Sequence, residues 1–130
     1  MTRLTTTLTF CLALVGCGAP PTAPSVVDFR EGAAPGRNII IGGICAPGSC
    51  SVARLITNMG NACATDVHVE VAALDSFGKV LATYEWVLEP NRIVRPLDSV
   101  EVRVDVAYAI NQAAPRWRTV ATEWRQVSCV

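Results

Sequence analysis

Between Ser99 and Ile110 apolar and polar residues alternate, and this period of two constrains the fold more than any other feature of the chain. Val100, Val102, Val104, Val106 and Tyr108 fall on one side, and Glu101, Arg103 and Asp105 on the other. Successive side chains of a strand point to opposite faces, so the pattern predicts a strand with one face in a core and one in water. The same period runs through Asp66–Leu74, where Val67, Val69, Val71 and Ala73 oppose His68 and Glu70. Lys79–Leu88 repeats it, with Val80, Ala82, Tyr84, Trp86 and Leu88 on one side, and Val120 and Trp124 share a face of Arg116–Val127. Asn38–Ile44 is a β-branched run and Ser51–Thr57 a further strand. Arg92–Leu97 reads as a short strand that Pro96 confines to an edge. Turn residues separate these runs, notably Ala46-Pro47-Gly48-Ser49, Asp75-Ser76-Phe77-Gly78, Glu89-Pro90-Asn91 and Asn111–Pro115. No stretch carries a capped helical period. About seven strands at this spacing predict an all-β fold, an antiparallel β-sandwich over residues 38–130.

The amino-terminal region is of another kind. Arg3 precedes an apolar run, Leu4 to Val15, that is too short for a bilayer needing about 20 residues. The run ends Leu14-Val15-Gly16-Cys17, which resembles the lipobox of bacterial lipoproteins. The resemblance implies a signal peptide over residues 1–16, diacylglycerol on the Cys17 thiol and cleavage after Gly16. Two or three acyl chains make such an anchor stable. Gly18 follows in place of the aspartate that retains enterobacterial lipoproteins in the inner membrane, which implies outer-membrane sorting in a Gram-negative host. Residues 17–37 then hold four prolines and three glycines after the cysteine, and read as a semi-stiff tether. Within it Val26, Val27 and Phe29 form an apolar island able to pack on the domain edge.

Six cysteines are present. Cys11 lies in the signal and Cys17 in the lipobox. Cys45, Cys50, Cys63 and Cys129 remain, an even number in an exported chain, and read as two disulfides. Four cysteines allow three pairings. A sandwich places the exit loop of its first main strand and the end of its last strand at one pole, which favours Cys63–Cys129. Cys45 and Cys50 flank a Pro-Gly turn and can meet locally. A zinc site usually shows closer cysteine spacing, and the Cys-x-x-Cys redox motif is absent from the sequence.

A catalytic set is not apparent. His68 is the single histidine, on the polar face of its strand, with no nucleophile-elbow serine to serve. Glu70, Glu85, Glu101, Asp105 and Glu123 are scattered on outward faces, with Arg103 suggesting cross-strand pairing. Gly42-Gly43 lacks the Lys-Ser/Thr of a phosphate loop, and Asp75–Gly78 lacks the ligands of a calcium loop. The sequence points to no cofactor and no metal. Eleven basic residues balance eleven acidic ones, so no basic field exists to attract nucleic acid. Trp117, at a strand start, reads as the best exposed aromatic contact.

From Ser51 to about Val127 the chain resembles FxLYD-type domains, small immunoglobulin-like sandwiches of exported bacterial and archaeal proteins. The resemblance is carried by Leu55-Ile56-Thr57-Asn58, Val67-His68-Val69-Glu70-Val71, the Asp75 to Val80 turn and Leu88-Glu89-Pro90. Two departures stand out. Asn91 replaces the glycine usual after the stop, and Val104-Asp105-Val106-Ala107-Tyr108 only loosely echoes the family signature. The resemblance implies an immunoglobulin-like fold outside the cytoplasm and no catalytic residues. The expected function is a non-catalytic binding or scaffolding lipoprotein of the cell envelope, anchored to the membrane at Cys17 and engaging an envelope protein through an edge strand or loop pole. The alternative is a small-ligand carrier or envelope enzyme using His68 or the outward carboxylates in a surface pocket.

Overall fold

The computed structural model describes residues 23–32, 43–46 and 49–130. The expected signal peptide and the lipidation site Cys17 lie outside the described residues. The described chain folds as β1 (Phe29–Glu31), β2 (Gly43–Ala46), β3 (Ser49–Asn58), β4 (Cys63–Leu74), β5 (Val80–Val87), β6 (Ser99–Val106), the helix α1 (Tyr108–Ala113) and β7 (Arg116–Val127).

Two antiparallel sheets face each other. In one, β6 pairs with β3 from Cys50 to Thr57 without a register break. The other edge of β3 is shared: β2 pairs near its start and β1 near its end. The second sheet has the order β5-β4-β7. Val52 and Ile56 of β3 meet Val67, Val69 and Val71 of β4 and Val100, Val102, Val104 and Val106 of β6 in the core. Each such fully buried side chain contributes about 1.5–3 kcal/mol relative to exposure. The inward residues of β4 and β6 are those expected from their alternation.

Three expectations are corrected. Arg92–Leu97 is not a strand. Asn91 and Leu97 take positive φ (64° and 67°) and bend the segment at both ends, leaving Val94 bridged to Ala64. Six strands of four or more residues therefore build the sandwich among the described residues, with the three-residue β1 added at an edge. The strand expected over Ser99–Ile110 stops at Val106, and Tyr108 is exposed on α1 instead of facing the core. Three alanines within Ala107–Ala113 favour a helical turn where the period-two pattern has lost its charged members. The tether expected over residues 17–37 is not free throughout. Val27 is buried, Phe29 packs against the core and β1 joins the first sheet, so the apolar island does dock on the domain.

Asn58 fixes that docking. Its side-chain amide donates to the Ala62 carbonyl at 2.8 Å and the Val94 carbonyl at 3.4 Å. Its carbonyl oxygen Oδ1 accepts from the amides of Gly60 at 3.0 Å and Asp28 at 3.4 Å. The backbone carbonyl of Val26 meanwhile accepts from Asn61 and Ala62. Gly60 admits this close approach, because a Cβ there would lie 2.1 Å from the Val26 oxygen.

Both disulfides form with the favoured pairing, Cys45–Cys50 and Cys63–Cys129. The first staples the β2–β3 hairpin. The second ties the start of β4 to the chain beyond β7. Among the described residues no helix is long and apolar enough to cross a membrane.

Candidate functional site

The outer face of the β5-β4-β7 sheet gathers most of the polar candidates. Register places Val87, His68 and Glu123 in one row across the three strands. The next row is Glu85, Glu70 and Val120, then Thr83, Ala72 and Arg118, then Val80, Leu74 and Arg116. The face is thus acidic toward the pole where the β3–β4 loop lies and basic toward the β4–β5 hairpin.

The acidic end is shaped by two irregularities. Register from Cys63 to Thr65 and from Val69 to Leu74 is the same, but it shifts between Thr65 and His68 and back again at Val69. An extra residue on β4 is offset by one on β7, so both strands bulge side by side. Bulges bend a strand and re-aim its side chains. Asp66 takes φ 52° here, the left-handed region that aspartate tolerates better than most residues. Its carboxylate accepts from Arg125 Nε at 2.9 Å.

Around these bulges an open hollow of about 500 Å³ is lined by Asp66, His68, Thr122, Glu123, Trp124 and Arg125. Trp124 is 40% exposed, and its ring meets Phe29 edge-on at 5.5 Å. The β1 segment thus supports the aromatic wall of the hollow. A second hollow of about 520 Å³ shares Thr122 and is lined by Glu70, Thr83, Tyr84 and Glu85.

His68 is half-buried. Its Nδ1 lies 3.2 Å from Glu85 Oε1, so the histidine has an acidic neighbour. Among the described residues its lining offers the Thr122 hydroxyl, the Asp66, Glu123 and Arg125 charges and the Trp124 ring, a set of hydrogen bonds, charge and aromatic surface. No group of three potential metal ligands converges among the described residues. Glu70 and Glu85, expected singly on outward faces, stand directly opposite each other, an unfavourable like-charge pair. Arg103, expected to pair across strands, instead bonds Glu101 on its own strand at 2.6 Å. Trp117 is turned inward against Tyr84, with ring centroids 6.4 Å apart, and Trp124 is the exposed tryptophan.

The bulged end was not foreseen. One trace of it lies in the sequence: inward parity runs Trp117, Thr119, Ala121 and then reaches Glu123, a residue no core accepts. An extra residue at Thr122 removes the conflict.

No protein-family model matches the chain, and no curated protein matches it. Among solved structures it is similar to β-glucosidase 3B from Thermotoga neapolitana in complex with α-D-glucose, with a TM-score of 0.41 and 14% identity. The likeness covers 78% of this chain and 17% of that one. The same enzyme in complex with glucose gives a TM-score of 0.38 and 12% identity over 80% of this chain and 17% of that one.

Proposed function

We propose that the chain is a non-catalytic recognition module of the cell envelope, held to a membrane through lipidated Cys17 and presenting the outer face of the β5-β4-β7 sheet to a protein partner. The observation that carries this reading is the composition of that face. Exposed Val87 and Val120 lie on it among side chains held on a hydrogen-bonded sheet, and exposed Trp124 flanks it at the bulged β7 edge; aromatic anchors of this kind dominate protein recognition. The lipobox and the FxLYD-type resemblance support the setting. Ala23 lies six positions after Cys17, a span of roughly 20 Å at full stretch. The β3–β4 pole, where Val26 docks, is accordingly the end nearest the bilayer.

The test is affinity capture from detergent-solubilised envelopes using the full chain and Trp124→Ala. The wild type is expected to retain a reproducible partner that the variant loses, with its melting temperature checked separately. Equal recovery by both proteins, or none by either, would sink the reading.

A further inference from the structure

The two ends of the candidate face are complementary to each other, and from this we infer that its partner is a second copy of this chain, paired face to face with its strands antiparallel. The inference rests on the recognition reading above and names its partner.

Four charged side chains on the face stand apart from the ion pairs formed among the described residues. Glu70, Glu123, Arg116 and Arg118 make no ion pair among the described residues. The two carboxylates lie at one end of the face and the two guanidiniums at the other. A two-fold axis gives a self-complementary interface. For two faces to meet, that axis must lie in the plane of the interface. Along the strands it would set acid against acid. Across the strands, between the Glu70 and Ala72 rows, it sets each acidic end on the other copy's basic end.

The register then fixes which residues meet. The row of Glu123, His68 and Val87 falls on the second copy's row of Arg116, Leu74 and Val80. Glu123 thereby faces an arginine, and exposed Val87 faces exposed Val80. The row of Val120, Glu70 and Glu85 falls on Arg118, Ala72 and Thr83. Arg118 of the second copy thus falls on Val120, one strand from Glu70. Lys79, the one lysine in the chain, lies beyond the basic end and falls toward Glu89 of the second copy.

The size of the face sets the strength of the pair. Three strands about 4.8 Å apart and four rows about 6.8 Å apart cover roughly 400 Å² per copy. Stable interfaces bury about 800 Å² on each partner, so this one is weak in dilute solution and salt-sensitive. Confinement to one membrane raises the effective concentration and favours pairing there. The two anchors leave from opposite ends, which lays the pair along the bilayer.

The test co-expresses two differently tagged full-length copies and measures co-purification from solubilised membranes at low and high salt. Wild-type copies are expected to co-purify, and Glu123→Arg or Arg116→Glu in both copies to reduce recovery about tenfold. One copy carrying E123R with the other carrying R116E restores both contacts and the recovery. A zero-length carbodiimide should also join Lys79 to Glu89, a link that must be intermolecular because β5 runs between them and holds them about 34 Å apart. Failure of wild-type copies to co-purify overturns self-pairing, as does undiminished recovery in either charge reversal. Capture of a different protein that Trp124→Ala abolishes, without self-recovery, would also overturn it, yet leave the recognition reading standing.

Discussion

Asn58 concentrates more of the structure's polar bonding than any apolar residue could. It is fully buried at the end of β3, and its side chain serves the Asp28 segment, the Gly60 turn and the Val94 segment together. Asn58→Ala strands several buried partners at once, and each unsatisfied group costs about 1–3 kcal/mol. The expected loss is about 2–4 kcal/mol in urea titrations of the purified chain, with the midpoint lowered and the slope kept. A change below about 0.5 kcal/mol would show that water replaces these bonds. Asn91 illustrates a different residue-level rule. It stands where the FxLYD-type domains that the sequence resembles carry glycine, and its φ of 64° is the conformation glycine adopts freely. Asparagine tolerates that region, so the departure in sequence is no departure in backbone. Both asparagines were visible in the sequence as strand and turn punctuation. The partners Asn58 bonds were not, because they lie up to 36 residues away.

At the scale of elements, legibility followed burial. β4 and β6 bury one face each, so their alternation stated both their existence and their inward residues. β5 and β7 lie at edges and are half-buried, and β7 also bulges, so its parity misled about Trp117 and Trp124. β1 is three residues long and pairs only at the end of β3, too short for any period to show. Its function in the fold is electrostatic as well as apolar. Glu31 pairs with Arg54 of β3, and its other oxygen accepts from the Thr119 amide on β7 at 3.3 Å. Arg54 also donates to the Trp117 carbonyl at 3.3 Å. Two free edge groups of β7 are thereby satisfied from the opposite sheet, which protects that edge from pairing with other strands. Burial pulls the pKa of the Arg54 guanidinium below its usual value, and its Nε has no hydrogen-bond partner among the described residues. Glu31→Ala leaves this cation without its counter-ion at a partly solvated edge, and about 1–3 kcal/mol of stability should be lost. Glu31→Ala with Arg54→Leu should recover part of that loss. A double-mutant cycle checks it: additive effects would mean the pair contributes no coupling.

For the molecule as a whole, the class of fold and the disulfide pairing were legible because both follow from topology. A sandwich has two poles, and cysteines on loops at one pole can meet. The Cys63–Cys129 bond closes a separation of 66 residues. In the chain-entropy model such a loop contributes about 4 kcal/mol, and Cys129→Ser should lower stability by up to that amount while leaving the β signature in circular dichroism intact. An unchanged unfolding midpoint would mean the oxidised unfolded chain gains no constraint from the bond. The polar face of the β5-β4-β7 sheet was less legible, since charge on a sheet surface takes its meaning from neighbours on other strands. The lie of the amino-terminal segment decides how the fold takes up a pulling force. It enters beside the β3–β4 loop and descends along β3, so a pull on Ala23 away from that pole acts parallel to β1. The ladder bonds of Phe29–Glu31, with those of Val26 and Gly32, are then loaded in shear rather than unzipped singly. Shear makes them yield together, so a load applied through the amino-terminal segment meets the whole ladder at once, and its lifetime under that load is a question of rate rather than of equilibrium.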